Sequence, residues 1–266
     1  CRIRENWISG TASSLFAAAG SYGGAWHQFV NCDFHANIAS NTSASAVSAC
    51  FACGATTRRW YFRGCSFREN AVKDYPGYYS VDTKGNVTQG RVGSVFITGT
   101  ANNYVHFVDC SLVSNSVEVA ESEFARENTL EAGTITLYNP NTRLFVVGSA
   151  VKDNVISGGM DGVRAEFRLS GPGSNGALTI ANTILYNESV GYVPLYLNEA
   201  LMPYLHNCYI SGFDEATAGC TKFGRCEGIA TAGDPGFAEF KKGPFANWAI
   251  GLAWNSAYAK AGSEIA

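Results

Sequence analysis

The feature that most constrains this chain is a short pattern, Cys-x-φ-x-x-Asn with φ a large apolar residue, that returns along most of its length. It is clearest at Cys65, Phe67 and Asn70 in WYFRGCSFREN, and it repeats at Cys32/Phe34/Asn37 and Cys110/Leu112/Asn115. Looser copies read as Ser149/Val151/Asn154, Asn182/Ile184/Asn187, and a decayed Cys208/Ile210 in which Phe213 replaces the Asn. The chain opens inside another copy, Cys1-Arg2-Ile3-Arg4-Glu5-Asn6. Asn6, Asn37, Asn70, Asn115, Asn154 and Asn187 are 31, 33, 45, 39 and 33 residues apart, which is repeat behaviour with loops of variable length. A repeat outranks local propensity as evidence of architecture.

Each copy is preceded by an apolar-alternating segment, a turn, and a second such segment that runs into the motif. GSVFITG/TANN/YVHFVDC and AGTITLYN/PNT/RLFVVGS are the clearest cases. A period near two with Gly, Pro or Asn at the turns predicts short strands, and no helical stripe of similar strength is present. Units this small cannot bury an apolar side alone, so they must stack. Stacked as coils of a parallel β-helix, each strand pairs with its counterpart about 4.8 Å away and equivalent residues form ladders. The expected inward column is Phe34, Phe67, Leu112, Val151 and Ile184, flanked by a column of small soft residues at Cys1, Cys32, Cys65 and Cys110. The asparagines suit tight corners, because Asn tolerates the left-handed conformation and its amide can bond neighbouring backbone or the next Asn.

With the F-x-x-N steps Phe34 to Asn37 and Phe67 to Asn70, beside Gly23-Gly24-Ala25-Trp26, the sequence resembles the polymorphic outer membrane protein repeats. More broadly it is similar to the secreted right-handed parallel β-helix proteins, the superfamily that includes pectate lyases. The likeness covers residues 1–213 and implies an all-β, right-handed parallel β-helix. It implies little about function, since such helices serve as lyases, hydrolases, adhesins and passive scaffolds. The remainder, 214–266, resembles the closing segment of these proteins, with Asp234-Pro235-Gly236-Phe237 and Ser256 to Gly262 carrying the match. Trp248 and Trp254 are expected to cover the end of the core, as a solenoid requires.

A net charge of −3 gives no basic field, which argues against a nucleic-acid partner. No run of 18 apolar residues is present to span a membrane. Cys1 lies in register with the other motif cysteines, so coils upstream or a protein neighbour are expected at that end; a lipidated first residue is the weaker reading. Cys32, Cys65, Cys110 and Cys208 read as buried thiols behaving as small hydrophobes. Cys220 and Cys226 in CTKFGRC are candidates for a small disulfide ring, which together with the resemblance favours an extracellular or cell-surface setting. Cys50 and Cys53 match C-x-x-C but lack a second pair or nearby histidines, so no metal site is expected.

Two insertions, 72–91 and 116–131, should lie outside the stack, the second as a short helix. Aromatic faces from Tyr75, Tyr78 and Tyr79 could meet carboxylates from Glu118, Glu121 and Glu123 across a groove suited to a glycan. Solvated loops are the plainer alternative. Asp33, Asp109 and Asp153 stand at different motif offsets, as do His27, His35, His106 and His206, so no catalytic column is expected. An extracellular scaffold or adhesin is therefore the leading reading, with a polysaccharide lyase or glycosidase as the alternative. Ca²⁺ would enter only with the lyase reading. If the protein passes through a eukaryotic secretory route, the sequons at Asn41 and Asn86 could carry sugar, whereas Asn187 should be shielded in the ladder.

Overall fold

The structure is a computed structural model that describes residues 1–10, 14–18, 25–42, 44–53, 58–77, 79–85, 87–98, 102–120, 131–138, 141–158, 164–169, 177–189, 191–197, 201–215, 218, 223–231, 237–238 and 251–252. Among these every regular element is a strand, and nearly all pairing is parallel. The molecule is a parallel β-helix with four strand positions per coil.

An approach strand (Ala25–Val30, Arg58–Arg63, Asn103–Val108, Arg143–Val147, Ala177–Ala181) runs into a motif strand (Asp33–His35, Ser66–Arg68, Ser111–Val113, Ala150–Lys152, Ile184–Tyr186). An exit strand follows (Trp7–Gly10, Ile38–Thr42, Ala71–Tyr75, Ser116–Val119, Val155–Gly158). A return strand then completes the coil (Phe16–Ala18, then Ala46–Ser48 with Phe51–Cys53, then Arg91–Thr98, Glu131–Leu137, Arg164–Leu169 and Leu195–Leu197). Tyr204–Ile210 spans the approach and motif positions together and joins their two faces into one sheet. Cys226–Ala230 pairs parallel beside it, so the stacking continues past residue 213.

Corners come in pairs around each motif. The residue before the Cys position has positive φ in every copy from Asn31 to Asn207, and those residues are Asn, Asp or Gly, the types that tolerate it. The second left-handed residue is Glu5, Ala36, Glu69, Ser114 or Asp153, the one immediately before the ladder Asn. This corrects the expectation that the Asn itself turns the corner. The asparagine sits just past the bend with its side chain directed inward, which is what lets its amide act along the stack. Gly93 and Gly133 stand where the return strand bulges, and a Cβ there would lie 2.5 and 2.7 Å from backbone oxygens of Phe96 and Ala165.

The inward column runs Ile3, Phe34, Phe67, Leu112, Val151, Leu185, Ile210 in unbroken register. Through Val151 this is the expected column, but the next partner is Leu185 and not Ile184. Leu185 is fully buried, whereas Ile184 occupies the flanking position beside Ala150. The fifth motif is thus Thr183-x-Leu185, one residue later than the sequence match at Asn182. Asn182 is the left-handed corner residue. A second interior column, Phe29, Phe62, Phe107, Val146, Ile180 and Leu205, comes from the approach strands. Its first three rings stack with centroids 5.3 and 4.9 Å apart, so this column is aromatic in the N-terminal coils and aliphatic in the later ones.

The insertions are only partly outside the stack. Val72 to Tyr75 belong to an exit strand, and beyond them Tyr79–Val81 and Val87–Gln89 form an antiparallel hairpin. Ser116–Val119 is likewise a stacked strand, and the expected helix that would follow lies outside the described residues. Ile38–Thr42, polar as it is, is also an exit strand. Phe237–Ala238 pairs with Gly251–Leu252, while Trp248 and Trp254 lie outside the described residues.

Candidate functional site

The asparagines form a continuous interior relay. The Nδ2 of Asn6 donates to Oδ1 of Asn37 at 2.8 Å, Asn37 to Asn70 at 2.8 Å, Asn70 to Asn115 at 2.9 Å, and Asn115 to Asn154 at 2.9 Å. Each Oδ1 also accepts the backbone N–H of the preceding ladder Asn. The second Nδ2 proton of Asn37, Asn70, Asn115 and Asn154 caps the carbonyl of Ile3, Phe34, Phe67 and Leu112 respectively. These are structural bonds, and from Asn37 to Asn154 they occupy both Nδ2 protons and both lone pairs of Oδ1, with no capacity left for a ligand.

Asn187 does not join this relay, a correction that follows from the one-residue slip of its motif. Its Nδ2 donates to the backbone oxygen of Asn154, and its Oδ1 accepts the N–H of Ser189. The acceptor that closes the ladder is instead Glu166 from a return strand, whose Oε1 lies 3.1 Å from Nδ2 of Asn154. Tyr192 approaches the other carboxyl oxygen at 3.5 Å. Burial pushes the Glu166 carboxyl from its ordinary 4.5 up to about 7, an increase that the hydrogen bonds from Asn154 and Tyr192 only partly offset.

Because the folded value lies above the unfolded one, this group's stabilisation is fully present below about 4.5. It declines as pH rises toward about 7. Glu166→Gln keeps the shape and an acceptor oxygen for Asn154 while removing the titration. The variant is expected to flatten the loss of stability between pH 5 and 7, and at pH 8 to exceed the parent by on the order of 2–3 kcal/mol. Denaturant unfolding at several pH values checks this; an identical pH profile in both proteins contradicts the buried placement.

The cysteine column continues as Ser149 and Thr183 before returning to Cys208, and the shared property is a donor on Cβ. Sγ of Cys65, Cys110 and Cys208 and the hydroxyls of Ser149 and Thr183 all point at approach-strand carbonyls one coil earlier, at 3.2–3.4 Å. These positions hold weak donors that bind corner carbonyls, which a reading as plain small hydrophobes missed. Burial raises the Cys208 thiol to about 11, so it remains protonated and able to donate. Cys50 and Cys53 are both buried, and Cys53 ends a return-position strand, Phe51–Cys53, that pairs with Arg91–Thr98. Among the described residues, no group of three His, Cys, Asp or Glu side chains is placed to hold a metal ion. Cys220 lies outside the described residues, and with it the expected disulfide ring; Cys226 begins the last parallel strand.

The expected glycan groove is altered by Tyr75, which is fully buried with its hydroxyl donating to the carbonyl of Ala44 at 3.0 Å. A ring packed into the interior cannot face a sugar. Glu118 is exposed on its exit strand, Tyr79 starts the antiparallel hairpin, and Tyr78, Glu121 and Glu123 lie outside the described residues. Asn41 is in an exit strand, and Asn86 lies outside the described residues.

Several carboxylates serve as ion-pair centres. Asp33 is clasped by Arg4 and Arg68 from the coils on either side, and Glu131 sits between Arg91 and Arg168. Burial raises the Asp33 pKa, but hydrogen bonds from Arg68 and Arg4 outweigh it, so the carboxyl is held below its usual range and stays ionised. Such a group is poorly suited to general acid work. Asp109 and Asp153 are left-handed corner residues and do not share a column with Asp33.

The most chemically distinctive surface was not singled out by the motif. Alternation along the approach strands sends Trp60, Phe62, Val105 and Phe107 inward and presents their neighbours to solvent. One outward column is Trp26, Arg59, Tyr104, Arg143, with guanidinium carbons 4.9 Å (Arg59 over Trp26), 5.5 Å (Arg59 over Tyr104) and 5.5 Å (Arg143 over Tyr104) from the ring centroids. Beside it runs Gln28, Tyr61, His106, Phe145, Thr179, Tyr204, in which the His106 and Phe145 rings stack at 4.5 Å. Burial, reinforced by Arg59, lowers the His106 pKa and keeps the imidazole neutral. The signal was available as R-R-W-Y-F-R and N-Y-V-H-F-V, but only the register shows that these residues meet. No protein-family model matches this sequence, and comparison with curated proteins and with solved structures finds no match to it.

Proposed function

We propose that this chain is a non-catalytic β-helix module, a scaffold or adhesin element of an extracellular or cell-surface protein akin to the pectate-lyase-like solenoids. The observation that carries the reading is the uninterrupted register of the interior. Seven apolar residues run along the stack beside an amide relay in which each ladder asparagine from Asn6 to Asn115 is bonded to that of the next coil. That construction supports a stiff rod of defined length, the property a solenoid contributes to a larger assembly. Glycan or protein partners belong to this proposal, with contacts on the lateral faces or with neighbouring coils.

The alternative, a polysaccharide lyase or glycosidase, needs an available carboxylate pair or a carboxylate with a base. Incubation of the purified chain with acidic and neutral polysaccharides, with and without Ca²⁺, is expected to release no unsaturated or reducing ends. Release that disappears in Asp33→Asn or Glu118→Gln overturns the module reading.

A further inference from the structure

We infer that the outer face of the approach strands is a binding face for a linear polyanionic glycan, engaged directly by arginine without a bridging cation. It rests on the module reading only in placing the chain outside the cell. The argument begins with charge. Across the coils from Ala25–Val30 to Ala177–Ala181, these two outward columns and a third beside them, Val30, Arg63, Val108, Val147 and Ala181, hold Arg59, Arg63 and Arg143 and no Asp or Glu. Asp109 stands at the corner rim, and Glu227 enters only at the far end, where it is paired with Arg225. A cationic face on a chain of net charge −3 is a local field, not a consequence of overall composition.

Geometry specifies the ligand further. Arg59 is sandwiched between Trp26 and Tyr104, and Arg143 lies against the same Tyr104. A guanidinium stacked this way is held in one orientation, and its N–H edge suits bidentate contact with carboxylate or sulfate oxygens. The two arginines stand two coils apart, about 10 Å along the rod axis. That is a repeating donor array matched to a chain with regularly spaced anionic groups. Tyr104 carries an arginine on either side and His106 and Phe145 stack on each other, so the face offers no run of open ring faces, exposed Trp26 at its end being the exception. Single-stranded nucleic acid, which binds by stacking bases on open aromatic faces, is therefore disfavoured. Hydroxyl and anionic oxygens of a sugar polymer suit the donor edges that remain.

The test measures binding of the whole chain to heparin as a sulfated chain, polygalacturonate as a carboxylated chain, neutral dextran and poly(dT), at low and high salt. Salt-sensitive binding to heparin, to polygalacturonate or to both is expected, with dextran unbound; the better of the two identifies the anionic group. Arg59→Gln/Arg143→Gln should weaken binding at least tenfold, while the charge-matched Lys73→Gln/Lys84→Gln, on the exit strand and hairpin, changes it less than twofold. Unfolding curves confirm that both variants are folded, and if the arginine pair is not, Arg63→Gln on the same face should weaken binding at least threefold. Absence of binding to both polyanions, equal losses in the two double variants, or tighter binding to poly(dT) overturns the inference and leaves the module reading standing. Cleavage of a bound glycan overturns the module reading but not the face.

Discussion

Asn70→Leu is expected to be among the most damaging single substitutions in this chain, with a loss of about 4 kcal/mol or more. The side chains are close in size, so the effect isolates hydrogen bonding from volume. Removing the Asn70 amide leaves two donors of Asn37 without their acceptor, its Nδ2 and its backbone N–H, and uncaps the carbonyl of Phe34. All lie in the interior, where a stranded polar group costs roughly 1–3 kcal/mol. Asn187→Leu provides the internal control. That residue is buried but off the relay, and its two bonds are to Asn154 and Ser189 backbone, so a loss of roughly 1–2 kcal/mol is expected. Urea unfolding of both variants reads the difference; equal losses would mean that the ladder does not end at Asn154.

Phe67→Ala is expected to cost about 3–5 kcal/mol, the usual consequence of emptying a packed aromatic site. Phe67 is fully buried, stacked on Phe34 at 4.8 Å with an interplanar angle of 4°, and in edge contact with Phe62 and Phe107 at 5.4 and 5.7 Å. A rigid β-helix interior relaxes poorly into the void, since the surrounding rings are held by parallel strands on every side. Phe67→Leu should recover more than half of the loss. A small effect of the alanine variant on the unfolding midpoint, with unchanged slope, would place Phe67 outside the core.

The arginine centres carry a related lesson about role. Asp33 and Glu131 would draw attention as acidic residues near the motif, yet each is held between two arginines from different coils. Removing one partner of such a group leaves an uncompensated buried charge, so each carboxylate is committed to its two arginines and is not available for chemistry. The exposed arginines of the approach face differ because their neighbours are rings, which orient the cation without neutralising it.

The sequence alone determined the architecture, the strand alternation, the inward column from Phe34 to Val151, and the Asn relay from Asn6 to Asn154. These were legible because a stacked fold repeats the same local requirement in every coil, and the same residue types answer it each time. Tertiary structure decided what depends on which coils touch. The motif at 182–187 was misplaced because matching favoured the letter Asn. The physical requirements there are a donor on Cβ, met by the Thr183 hydroxyl that donates to the carbonyl of Val146, and an apolar side chain beneath Val151, met by Leu185. Glu166 as the ladder's terminus could not be read from a motif, since it comes from another strand of the coil. Tyr75 looked like a loop aromatic and is core because its strand stays in the stack. The arginine and aromatic face was hidden for a similar reason. Trp26, Arg59, Tyr104 and Arg143 are separated by 33, 45 and 39 residues in sequence, and only parallel pairing brings each within about one strand spacing of the next.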